Sequence, residues 1–203
     1  MKTNHHLRLS ALTAAALLCA SASAATLPEG YALLSYAAST GTQRIDTGIY
    51  PKATTRVVID FQYPSVPTAA AYCGWGSSGS AEAFLFGANQ TAFYAVISSN
   101  WKSSPTGVAS DTARHVYDLA KGAMYFDGVL FSTTNTLGST ATSAQTMYLF
   151  ASRVEWSPYV AYNCSMEIYT YQIYDGATLV RSFVPVQRLS DSVVGLYESA
   201  STI

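Results

Sequence analysis

The chain has 203 residues, a formal net charge of −1, 49% hydrophobic residues and only 11% charged ones. That length supports one domain with a single sizeable core. The lack of a basic excess argues against a nucleic-acid or anionic-membrane partner, because neutralising phosphate supplies most of such affinity.

In chain order, residues 1–24 read as an export signal. Lys2 and Arg8 precede the apolar run LSALTAAALLCASA, and Ala22-Ser23-Ala24 forms a small-residue cleavage site. Cys19 follows Leu18, where lipid attachment would want a small residue, so cleavage after Ala24 is the expectation. The run is too short for a membrane span and no second one follows, which predicts no membrane insertion once the signal is removed. The mature domain, residues 25–203, carries nine Lys and Arg against twelve Asp and Glu, with His115 as its one histidine. Its expected destination is periplasmic, cell-surface or extracellular.

The mature sequence has no long 3.6-residue periodicity. Short runs rich in Tyr, Val, Ile, Phe and Thr alternate with Gly, Asn, Asp and Ser clusters, which predicts an all-β domain. After Asp46, placed near a turn before Gly48, the run RVVIDFQY over 56–63 puts Val57, Ile59, Phe61 and Tyr63 on one face. Arg56, Val58, Asp60 and Gln62 take the other face, so these charges read as the solvated side of a strand. FLFGANQTAFYAVI predicts a hairpin turning at Gly87, Asn89 and Gln90. RHVYDLAKGAMYFDGVLFSTT predicts three strands joined at Lys121-Gly122 and Asp127-Gly128, the latter a strong type I′ signal. TMYLFAS and NCSMEIYTYQIYDGATLVRSFVP supply at least three more strands, with a turn at Asp175-Gly176. Many short strands without crossover helices predict an antiparallel two-sheet β-sandwich.

The segments LPEGYALLSYAASTGTQRIDTGI, YLFASR and IYTYQIYDGATLVRSFVPVQRLSDSVVGLYE, in that order, resemble the concanavalin A-like lectin/glucanase group, and within it the LamG-like jelly-roll domains of exported bacterial and phage-associated proteins. The resemblance spans essentially the whole mature chain. It implies a jelly roll of two antiparallel sheets, with the first and last segments close together in one of them. Similar domains usually continue past VGLYE into another strand, so the C-terminal edge is an expected point of departure.

Glucanases of that group use an E-x-D-x-x-E strand, and a retaining mechanism needs two carboxyl groups roughly 5 Å apart. The spacing is missing here: Asp60, Asp118 and Glu167 are isolated in sequence and read as solvated strand positions or surface ion partners. His115 lacks a G-x-S-x-G elbow and reads as a strand histidine, so no catalytic residue is named. One histidine and two distant cysteines do not make a zinc site. Some LamG-like relatives hold calcium, which leaves calcium open, but no D-x-D-x-D-G loop defines a ligand set. Cys73 and Cys164 are either a disulfide or two buried thiols. A bridge would close a loop of about 90 residues and stabilise the fold by roughly 4 kcal/mol. Two N-x-S/T sequons, at Asn89 and Asn163, carry little weight.

Trp75, Trp101 and Trp156 adjoin Gly-, Ser- or Pro-rich segments that suggest loops at sheet ends. Such rings can stack on sugar C–H groups, and they can equally cap the core. With the resemblance, they make a non-catalytic domain that binds glycan or cell-surface polysaccharide the leading expectation. A structural or adhesion module is the alternative, and a glycoside hydrolase comes third.

Overall fold

The computed structural model describes residues 27–69, 71–75, 83–97, 100–103, 110–120, 123–132, 145–153, 160–161 and 163–199. These form two stacked β-sheets, a jelly-roll-like β-sandwich built from seventeen strands among the described residues. The expected all-β sandwich is what the chain adopts.

The first sheet has nine strands. Its centre is β4 (Thr55–Gln62), flanked by β9 (Arg114–Ala120) and β15 (Ser165–Asp175). β10 (Ala123–Phe126) and β11 (Val129–Ser132) extend the β9 side. β16 (Thr178–Arg188) follows β15 and is joined by β1 (Tyr31–Leu33) and β17 (Val194–Glu198), while β2 (Ala37–Thr40) pairs with the start of β15. Val186 pairs with both Leu33 and Gly195, so β1 and β17 flank β16 on opposite edges. The first and last segments thus share one sheet, and VGLYE is a paired strand.

The second sheet has eight strands. Its body is a meander of β5 (Ala71–Trp75), β6 (Phe84–Ala88), β7 (Phe93–Ile97) and β8 (Asn100–Ser103). Beside β5 lie β3 (Ile45–Asp46), β12 (Tyr148–Leu149), β13 (Ser152–Arg153) and β14 (Val160–Ala161). Pairing is antiparallel throughout except between β13 and β5, which run parallel over Ser152–Gly74 and Arg153–Trp75.

Alternation explains the layering. β4 is buried at every second residue, and Val57, Ile59 and Phe61 face the second sheet, which answers with Cys73, Phe84, Phe86, Phe93, Ala95 and Ile97. Each large side chain so buried contributes about 1.5–3 kcal/mol. Phe61 stacks on Tyr117 with ring centroids 5.4 Å apart and planes 7° from parallel. The buried hydroxyls of Tyr63 and Tyr117 donate to the carbonyls of Ala71 and Tyr94 at 3.0 and 3.1 Å, which removes most of the cost of burying them.

The turns follow their residues. Asp127 and Gly128 both take positive φ, 50° and 76°, as a type I′ turn requires. Asn89 accepts bonds from the N–H groups of Thr91 and Ala92 and closes the β6–β7 hairpin. At the β15–β16 hairpin the two connecting residues are Gly176 and Ala177, and Asp175 is still strand. The expected turn at Lys121-Gly122 lies outside the described residues.

Candidate functional site

The outward face of the nine-stranded sheet carries a row of paired charges among the described residues. Where alternation buries one side of β4, it must turn Arg56, Asp60 and Gln62 to the other, and β9 presents Arg114 and Asp118 beside them. Arg56 grips Asp118 through Nε and Nη2 at 2.7 and 2.8 Å. Arg114 grips Asp60 in the same two-point way at 2.7 and 2.6 Å. The partners are diagonal across one strand pair, since Asp60 faces Val116 and Arg114 faces Gln62. Fork-to-carboxylate pairs of this geometry hold both groups in place. The Asp118 and Asp60 bonds push the guanidinium pKa values further up.

The third strand adds aromatic rings. β15 has a bulge between Ile168 and Thr170 that shifts its register on β4. Before it the inward residues are Met166 and Ile168, and after it Tyr171 and Ile173. The extra residue therefore leaves Tyr169 facing outward and turns Tyr171 into the core, a re-aiming typical of bulges. The Arg114 guanidinium sits 3.7 Å from the centre of the Tyr169 ring, and Tyr36, just ahead of β2, lies 5.7 Å away on a tilted plane. The Tyr169 hydroxyl donates to Gln62 at 2.7 Å and approaches Glu167 at 3.2 Å. Partial burial first, then that bond to Glu167, pushes its phenol pKa up.

At the far end of β4 the same motif recurs. Arg56 lies 4.9 Å from the Tyr174 ring, whose hydroxyl donates to Gln172 at 2.9 Å. Tyr174 also lines an open cleft of about 310 Å³ with Ile49, Tyr50, Lys52, Asp175 and Val180. Tyr50 is 51% exposed, and Lys52 pairs with Asp175 at 2.6 Å on the rim. From Arg56 to Gln62 the strip spans six residue steps, roughly 20 Å at about 3.3 Å per step. Its three cations, Lys52, Arg56 and Arg114, are each paired, against four acids, Asp60, Asp118, Glu167 and Asp175. The surface can stack on flat apolar faces and exchange hydrogen bonds, and among the described residues of the strip each cation is already paired with an acid.

The tryptophans fall elsewhere. Trp75 closes β5 opposite Phe84, and Trp101 is the second residue of β8 opposite Val96. Both backbones are strand, as suits aromatic residues. Their indole rings, and all of Trp156, lie outside the described residues. Cys73 and Cys164 are unbridged in this structure, with sulfurs 3.4 Å apart in the core. Asp46 accepts from the Gly48 N–H at 2.9 Å in the expected turn.

His115 is a strand histidine with more structure than its sequence suggests. Its Nδ1 lies 2.6 Å from Asp127 and its Nε2 2.8 Å from Asp111, and the ring packs 4.7 Å from both Phe93 and Phe126. Partial burial resists ionisation of Asp111, but bonds from His115 and the Ala113 N–H outweigh it and hold its pKa below the usual carboxylate range. The cluster ties the 110–113 loop to the β10–β11 turn. Among the described residues no group of three or more His, Cys, Asp or Glu is placed to hold a metal ion.

Sequence reasoning missed Tyr36, Tyr169 and Arg114 as partners. The spacings Glu167-x-Tyr169 and Gln172-x-Tyr174, each placing a polar group and a ring on one strand face, were the available signal. No protein-family model, no curated protein and no solved structure matches the chain.

Proposed function

We propose that the chain is a secreted, non-catalytic recognition domain that binds a neutral glycan on the outward face of its nine-stranded sheet. The observation that carries this reading is the Tyr36–Tyr169 ring pair, with Arg114 stacked on Tyr169 and Gln62 and Glu167 at its hydroxyl. Sugar rings offer apolar C–H faces and rows of hydroxyls, and a surface of rings edged by planar polar groups suits both. The surplus of acids over cations along the strip favours a neutral polymer over an acidic one. Hydrolysis is disfavoured because Asp60 and Asp118 each have both oxygens engaged by an arginine, leaving neither poised as a nucleophile or proton donor.

A second reading, adhesion through protein contacts, is favoured by one feature. Leu33, Leu189, Val193 and Val194 are exposed near a cavity of about 240 Å³ between Tyr31 and Tyr197.

Probing an array of neutral and acidic glycans with residues 25–203, with and without calcium, tests the proposal. Retention of neutral glycans that falls by at least roughly thirtyfold in Tyr169→Ala is the expected result. If no glycan is bound, or if Tyr169→Ala binds normally, the sheet-face reading is rejected. In the first case adhesion becomes the preferred function. Dependence on calcium would add a bound cation to the reading.

A further inference from the structure

Cys73 lies in the middle of β5 in one sheet, and Cys164 directly precedes β15 in the other. Their sulfurs meet across the core at 3.4 Å, with side chains 0% and 1% exposed. Both backbones are held. Cys73 pairs with Phe86 on β6, and the Cys164 N–H donates to the Phe150 carbonyl at 2.9 Å. A disulfide needs its sulfurs at about 2.05 Å, so the two sulfurs have to close by about 1.4 Å between backbones already held beside each other.

We propose that Cys73 and Cys164 form an inter-sheet disulfide, made during folding by exchange with a small disulfide oxidant. One cysteine thiolate attacks the donor disulfide, forming a mixed disulfide and releasing one donor thiol. The second thiolate displaces the other donor thiol. Two cysteine thiols are thereby oxidised to one disulfide, the donor disulfide is reduced to two thiols, and the cysteine protons end on the donor thiols. The reaction belongs to the open chain. Once the sheets have closed, no donor reaches the buried sulfurs, and contact with Cys73, then burial, raises the Cys164 pKa well above its ordinary value, disfavouring the reactive thiolate. The export signal expected over residues 1–24 suits this chemistry, since exported chains fold where disulfides persist.

The linkage has a physical consequence. It joins positions 91 residues apart in sequence and spans both layers of the sandwich, so it restrains the unfolded chain strongly. The oxidised domain should melt roughly 10 °C above the reduced one.

Residues 25–203 are refolded from denaturant with oxidised glutathione, and in parallel with a reductant. Each sample is then unfolded and alkylated, and the oxidised one is peptide-mapped without reduction. The expected result is a monomer with no alkylated cysteine, one Cys73–Cys164 linked peptide, and a melting temperature that reductant lowers after unfolding and refolding. Cys73→Ala/Cys164→Ala should melt at the same temperature with and without reductant. Two alkylated cysteines in a folded, oxidatively refolded chain would overturn the proposal, as would linkage found only between chains. Both measurements on the unsubstituted chain stand if the double variant does not fold.

Discussion

The Arg114 guanidinium lies over the Tyr169 ring at 3.7 Å while both of its bonded nitrogens hold Asp60. The carboxylate fixes the cation, and the cation fixes the ring that the proposed glycan would meet. Asp60 then acts through position rather than by touching ligand. Asp60→Asn keeps an acceptor oxygen for Arg114, so glycan affinity should stay within a few fold and stability within about 1 kcal/mol, as for exposed ion pairs. Titration calorimetry on the variant checks the first and chemical denaturation the second. A hundredfold loss, about 2.7 kcal/mol, in a folded protein would make Asp60 a direct ligand-binding residue.

Much of this arrangement was legible in the sequence strand by strand and illegible across strands. The alternation of RVVIDFQY shows which side of β4 is wet, and Asp127-Gly128 shows its turn type, because both are local backbone properties. The pairing of Arg56 with Asp118 and of Arg114 with Asp60 joins residues 62 and 54 positions apart, and only the β4–β9 register brings them together. The bulge is less legible still: alternation from Ile168 already carries Tyr169 outward but would carry Tyr171 outward too, and only the register shift between Ile168 and Thr170 turns Tyr171 into the core. The Gly- and Ser-rich neighbours of Trp75 and Trp101 resemble loops, and the two residues themselves stand in β5 and β8.

The His115 clamp should show in acid. Asp111 has a lowered folded-state pKa, so its contribution is present above the unfolded carboxylate pKa and disappears as pH falls through the folded value. Asp175, lowered by Lys52 and Thr54, acts in the same sense. Denaturant stability should therefore decline below about pH 4. Asp111→Asn should cost under about 1 kcal/mol at pH 7, because the carboxylate is half exposed and screened by solvent, and should flatten that decline. An acid limb of unchanged slope in Asp111→Asn would remove Asp111 from the explanation.

Phe61 tests where the core is centred. It is fully buried, stacks on Tyr117, and meets Tyr63, Phe93 and His115 at centroid distances of 5.7, 6.1 and 6.3 Å. Phe61→Ala should cost about 3–5 kcal/mol, because this aromatic cluster cannot collapse to fill the space. Phe61→Leu should cost less. Chemical denaturation measures both, and a loss under about 1 kcal/mol for the alanine would mean that the two sheets pack more loosely than described.

Gly74 shows how tightly β5 and β6 approach. Its φ of 117° is a conformation side chains rarely adopt, and a Cβ there would collide with the Phe84 carbonyl across the strand pair. Its N–H donates to the Ala151 carbonyl at 3.2 Å, and Ser152 and Tyr148 pair with it, so both β12 and β13 meet β5 at this residue. Adding a methyl forces backbone to move, since neither neighbour is a flexible side chain. Gly74→Ala should then cost at least about 2 kcal/mol, combining strained φ with overpacking. It should also raise hydrogen exchange at the N–H groups of residues 148–153 more than along β4, because the disturbance is local to the second sheet. A variant as stable as the parent, or one whose exchange rises equally in both sheets, would show that Gly74 is not the point on which β12 and β13 rest.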